Sequence, residues 1–160
     1  ITTIKEIAKH PIFDVVFRKH ERRKRTEDEF IIRTWLKLFH KSDSYIANYK
    51  GVANQIKITD KQKDNILSIY DKMFEVFKVL KITNSKNIAV IRNKWNFLAY
   101  INFINELDTT DFAAWLDYFF DNITENQREY IKLSRRNKVN MQDLIDSMEI
   151  SIKKYKSVQK

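Results

Sequence analysis

The sequence predicts an all-α fold, a compact multi-helical domain of about eight or nine helices. Three observations predict it. The 160 residues include one Gly and one Pro, the residues that hairpins and bulges consume. Capping-box spacings recur where helices would begin: Thr3 with Glu6, Thr26 with Glu29, Thr59 with Gln62 and Thr124 with Gln127. In each, the hydroxyl would accept from a free backbone N–H while the Glu or Gln reaches back to the cap. Between these points apolar residues return every three or four positions, the period of a helix with one buried face.

Taken in order, a short helix is expected over 3–9 from the Thr3 box, and another over 11–19, where Pro11 suits a first helical position. The Thr26 box opens a longer one over 27–40, with Glu27, Asp28 and Glu29 in its first turn, where the helix dipole favours negative charge. A segment over 44–57 contains Gly51, which marks a kink or a C-cap. The next helix, over 60–81, carries a stripe of Ile66, Ile69, Tyr70, Met73, Phe74, Phe77 and Leu80. Asn84 is a cap candidate for a helix over 85–106 lined by Ile88, Ile91, Trp95 and Leu98, and widened by Phe97, Ile101 and Ile104. Asp108 or Thr109 caps a helix over 109–121 with Phe112, Trp115, Leu116 and Phe119. A further helix is expected over 125–137. The last, over 141–158 with Asn140 as its cap, places Met141, Ile145, Met148, Ile152 and Tyr155 at alternating spacings of four and three. Two heptads are too few for a coiled coil, so this stripe reads as a docked helix face.

Composition bounds the rest. At 43% hydrophobic, with three Trp, eleven Phe and seven Tyr, the chain can fill one domain core and is unlike a disordered segment. It has no Cys, which excludes disulfides, thiolate metal sites and thiol nucleophiles and fits a reducing cytoplasm. No apolar run approaches the ~20 residues of a membrane span. The chain starts at Ile1 without an initiator Met, so it reads as one domain excised from a larger protein.

The net charge of +9 is unevenly placed. Arg18, Lys19, Arg22, Arg23, Lys24 and Arg25 stand against Glu21 alone. Arg128, Lys132, Arg135, Arg136 and Lys138 stand against Glu129, and Lys153, Lys154, Lys156 and Lys160 close the chain. Clustered positive charge is what a phosphate-binding face requires. The candidate nucleic-acid-binding residues are Arg22, Arg23, Lys24, Arg25, Lys132, Arg135, Arg136 and Lys138, with DNA as the possible partner. A solvated face is the plainer reading of such runs.

The remaining residues form no catalytic pattern. His10, His20 and His40 have no i, i+4 partner for zinc, and a single Gly precludes a phosphate loop or a serine elbow. No catalytic residue, cofactor or metal ligand is assigned. Phe17, Tyr130 and Tyr155 are aromatics beside basic residues and so modest candidates for base stacking. Arg33 lies among apolar neighbours four residues after Glu29, a spacing that favours an ion pair.

The stretch from His10 to Leu38, HPIFDVVFRKHERRKRTEDEFIIRTWLKL, resembles the helical part of bacterial proteins related to the GmrSD modification-dependent restriction nucleases. Arg25, Glu29, Phe30, Ile31, Ile32 and Arg33 carry the match. The resemblance implies a helical region following a ParB/sulfiredoxin-like domain, in a defence protein whose other parts act as nuclease or NTPase. The Asp-Gly-Gln-Gln-Arg motif of that N-terminal domain is absent here, as is a His-containing nuclease domain. The resemblance therefore implies a context and no catalytic residue. Two other readings stand beside it. One is a scaffold that docks on neighbouring domains or on a second copy through 141–158; the other is an enzyme acting alone.

Overall fold

The computed structural model describes residues 2–17, 26–40, 56–123 and 138–158. Every regular element among them is helical: α1 (Thr2–Ile7), α2 (Ile12–Val16), α3 (Thr26–Trp35), α4 (Asp60–Ile82), α5 (Ile88–Ile91), α6 (Lys94–Tyr100), α7 (Thr109–Asp121) and α8 (Lys138–Val158). A π-helical turn, Leu36–His40, extends α3, and a 3₁₀ turn, Ile101–Phe103, extends α6. The all-α expectation holds, and among the described residues no helix is long and apolar enough to cross a membrane. The helix expected over 125–137 lies outside the described residues, as does the segment expected over 44–57 up to residue 55. Residues 56–59 carry no regular structure.

The chain divides into two compact units, Ile1–Phe74 and Glu75–Lys160. In the first, an aromatic cluster forms where α2, α3 and α4 supply rings in register. The Phe13 ring stacks on Phe17 at 5.9 Å and meets Phe30 and Tyr70 edge-on at 6.0 and 5.5 Å. Edge-on rings set the positive rim of one against the negative face of the next. Two polar groups share this interior. Thr34, fully buried, donates from Oγ1 to the Phe30 carbonyl at 2.9 Å and accepts from the Tyr70 hydroxyl at 2.8 Å. Burial pushes the Tyr70 hydroxyl well above its ordinary ionisation range, so it remains a donor. Arg33, 6% exposed, sets Nε and Nη2 against Glu29 Oε1 at 2.9 and 2.8 Å. The i, i+4 pairing expected from the sequence is therefore made, and it neutralises a charge that would be very costly alone.

The second unit is organised around Trp115, fully buried on α7. Phe112, Phe119 and Phe103 surround it at ring distances of 5.4, 6.0 and 6.1 Å. The α8 helix packs on α6 and α7, burying Met141, Leu144, Met148 and Ile152. Its Ser151 Oγ accepts from the Trp115 indole N–H at 3.1 Å. The alternating stripe on α8 is thus a docked face inside this unit, with Leu144 taking a place that the heptad pattern gave to Ile145.

Local corrections have identifiable causes. The box at Thr59 forms as expected: Thr59 N–H donates to Gln62 Oε1 at 3.0 Å and Gln62 N–H to Thr59 Oγ1 at 3.1 Å. Thr3 falls inside α1 instead of capping it, and Glu6 turns to an ion pair with Lys63. The α2 helix ends at Val16, short of 19, because Phe17 is extended (φ −113°, ψ 143°) and its ring is buried against Phe13 and Phe30. Asn84 caps no following helix. It takes φ 56° after α4, while Ser85 N–H reaches the Leu80 carbonyl and Asn84 N–H the Lys81 carbonyl. That pair of bonds is the Schellman motif, whose left-handed position Asn tolerates better than most residues. The helix expected over 85–106 is broken at Asn93, whose side chain accepts from the Trp95 and Asn96 N–H groups and starts α6 anew. Asp108 caps α7 as expected, accepting from Asp111 N–H at 2.8 Å. The last helix begins at Lys138, so Asn140 lies within it.

Candidate functional site

Of the residues expected to grip phosphate, Arg22, Arg23, Lys24, Arg25, Lys132, Arg135 and Arg136 lie outside the described residues, and the backbone of Lys138 opens α8. The described residues are nonetheless informative about charge. They hold 17 Lys and Arg against 17 Asp and Glu, so as a set they are electrically balanced. The whole excess of +9 belongs to segments 18–25, 41–55 and 124–137 and to Lys160.

Several framework cations are also matched one by one. Lys63 pairs with Glu6, Lys78 with Glu75 at 3.2 Å, Lys153 with Glu149 at 3.2 Å and Lys156 with Glu106 at 2.7 Å. The Lys63 ammonium, through its hydrogen bond, draws the Glu6 carboxyl below the ordinary carboxylate range. Two of the C-terminal lysines that the sequence grouped together thus face carboxylates. Of the stacking candidates, Phe17 is buried in the first unit's core and Tyr155 rests against Tyr118 at 5.8 Å. The buried Phe17 ring presents no open face of the kind a base-stacking platform needs. Tyr130 lies outside the described residues.

His10 is the imidazole with a described setting. Its Nδ1 accepts from Ile12 N–H at 3.0 Å, and its Nε2–H donates to Asp71 Oδ1 at 2.6 Å. The ring, with a side chain 7% exposed, lies edge-on to Tyr70 and Phe74. Both nitrogens are engaged in holding the start of α2 against α4, which leaves neither to act as a base or metal ligand.

One constellation escaped the sequence. Asp117 and Asp121 stand one turn apart on α7, at the mouth of a groove of about 410 Å³. The last turn of α4 and the residue after it supply Val79, Leu80 and Thr83 to its walls, and α7 with its C-cap supplies Thr110, Ala113, Ala114, Tyr118 and Asn122. Two like charges at i, i+4 disfavour a helix by ~0.2–0.5 kcal/mol. Here the turn after α4 compensates. Ser85 donates to Asp117 Oδ1, and Asn87 Nδ2 reaches Asp117 Oδ1 at 3.2 Å and Asp121 Oδ1 at 2.9 Å. Lys86 Nζ lies 3.5 Å from Asp121 Oδ1. Donation from Asn87, against an opposing desolvation effect and with help from Lys86, holds the Asp121 carboxyl below the ordinary carboxylate range. The Asp-x-x-x-Asp spacing was a legible signal. Its partners were not, because Ser85 and Asn87 reach it only through the Schellman turn at Asn84.

No family model, curated protein or solved structure matches this chain.

Proposed function

We propose that the chain is a non-catalytic helical module that contacts nucleic-acid phosphates through segments 18–25 and 132–138. One observation carries the reading: the described residues taken together are charge-balanced, while the excess positive charge is concentrated in short stretches of sequence. A protein that needed charge only for solubility would be free to spread it evenly along the chain. Arg22, Arg23, Lys24 and Arg25, with Lys132, Arg135, Arg136 and Lys138, serve as phosphate clamps that release counterions and read no sequence.

The resemblance over His10–Leu38 makes DNA the polyanion and bacterial defence the setting. Phe30, Ile31 and Ile32 are buried, and Glu29 and Arg33 pair with one another. These matched positions therefore serve folding, and DNA contact falls to the basic residues that precede them.

The test is duplex binding by fluorescence anisotropy over a salt series, comparing the wild type with a variant carrying Arg22→Gln, Arg23→Gln, Lys24→Gln and Arg25→Gln. The expected result is weaker binding to every duplex sequence and a flatter dependence of log K on log salt, by about 0.9 for each phosphate no longer neutralised. Unchanged affinity and slope would overturn the proposal.

A further inference from the structure

We propose that the groove between the last turn of α4 and α7 is a binding site for a small organic amine. Its ammonium would be held by Asp117 and Asp121, and its apolar body would lie against Val79, Ala113 and Ala114. This inference is independent of the nucleic-acid reading, which concerns other residues.

The groove exists because of which residues α7 turns toward α4. The helix buries Trp115, Leu116, Phe119 and Phe120, but at the groove it carries two alanines, whose short side chains leave a volume of about 410 Å³. Pockets that enclose small molecules run from roughly 300 to 1,000 Å³ and join an apolar lining to a few placed polar groups. The groove has a volume in that range and joins the two kinds of lining, as an open surface groove that does not enclose its guest.

The polar groups select the charge of the guest. Ser85 and Asn87 donate to Oδ1 of Asp117, and Asn87 and Lys86 approach Oδ1 of Asp121. Among the described residues Oδ2 of either carboxylate has no partner, so each keeps an acceptor available while its orientation is fixed. Lys86 supplies one positive charge against two negative ones, and its side chain is 82% exposed. Among the described residues, the charged groups at the site therefore sum to one negative unit, which a monovalent cation complements and an anion does not. The lowered ionisation of Asp121 keeps it charged throughout the neutral range.

A divalent metal fits less well. Calcium and magnesium take six or more oxygens, whereas the groove offers two carboxylates, and among the described residues no group of three or more acidic, His or Cys side chains is placed to hold a metal ion. Tyr118, 39% exposed, lines the same rim, and aromatic rings attract ammonium groups. An alkyl or aryl ammonium thus matches the charge, the aromatic rim and the apolar floor together.

The test titrates the isotopically labelled full chain with phenethylammonium and follows backbone amide shifts. Two probes of the same shape serve as comparison, the neutral 2-phenylethanol and the anionic 3-phenylpropionate. Saturable shifts are expected at Thr83, Ala113, Ala114 and Asp117, with the alcohol at least about tenfold weaker and the acid weaker still. Asp121→Asn should abolish the preference for the ammonium over the alcohol. Ala114→Leu, at an exposed lining position, should crowd the groove and weaken both, which keeps the proposal testable if the Asp121 variant disturbs the α4–α5 turn. Equal binding of amine and alcohol would overturn the proposal. So would shifts scattered outside the groove, or no saturation by about 10 mM amine.

Discussion

In the residues up to Phe74, polar side chains satisfy one another across helices. Tyr70 on α4 donates to Thr34 on α3, the Trp35 indole to Gln62 at 3.0 Å, and His10 to Asp71. Beyond Glu75, the buried Tyr100 and Asn96 turn instead to main chain close by in sequence, while the Trp115 indole reaches Ser151 on α8. Tyr100 donates to the Ile91 carbonyl at 3.1 Å and Asn96 Nδ2 to the Val90 carbonyl at 2.8 Å. The first arrangement fixes which helix faces which, because each bond needs two particular side chains. The second satisfies Tyr100 and Asn96 locally and leaves helix pairing mainly to the shape of the apolar surface around Trp115, with the Trp115–Ser151 bond as one side-chain link between α7 and α8. Side-chain networks are therefore where the first unit is most sensitive, and packing volume where the second is.

The largest expected effect tests the packing half of that contrast. Trp115→Ala removes the ring that Phe103, Phe112 and Phe119 surround, and should cost about 3–5 kcal/mol in urea unfolding. A loss under about 1 kcal/mol would mean that the second unit does not depend on this ring.

An intermediate effect tests the network half. Thr34→Val takes the acceptor from the buried Tyr70 hydroxyl and should cost about 1–3 kcal/mol. Tyr70→Phe leaves Thr34 its bond to the Phe30 carbonyl and should cost only about 0.5–1.5 kcal/mol. The double variant should be less destabilised than the sum of the two, since the stranded hydroxyl is then gone. Strict additivity would show the pair to be independent.

The smallest effect compares exposed charges in the two units. Glu6 and Asp121 both have carboxyls drawn below their ordinary values, Glu6 chiefly by Lys63 and Asp121 chiefly by Asn87. A depressed folded-state value means that the folded protein binds the proton less readily than the unfolded chain. The stabilisation is present above the ordinary carboxylate range and is lost as pH falls through the folded-state values. Added salt should weaken the Glu6 contribution, which rests on an ammonium, more than that of Asp121, which rests on an amide. Acid unfolding of Glu6→Gln and Asp121→Asn at low and high salt separates them; equal salt responses would remove the distinction.

Much of the framework was legible because its causes are local. The Thr59–Gln62 box, the Asp108 cap and the Glu29–Arg33 pair involve residues three or four apart, a distance that one helical turn closes whatever surrounds it. The break at Asn93 was less legible because the apolar stripe runs past it, from Ile91 to Trp95, and periodicity alone does not register a cap. The groove was illegible for a different reason. Ala113 and Ala114 look unremarkable on α7 until α4 ends opposite them, and Asn87 has no visible role until the turn at Asn84 brings it to Asp117 and Asp121.

The sequence by itself determined the helical class, most helix starts, the apolar stripes and the segregation of positive charge, since propensity, capping and composition act over a turn or less. Tertiary structure alone decided that the α8 stripe would be buried on α6 and α7, that both His10 nitrogens would be engaged, and that two aspartates on one helix would share an amide from elsewhere. Those outcomes depend on which surfaces meet, and a one-dimensional pattern carries the period of a buried face without naming what buries it.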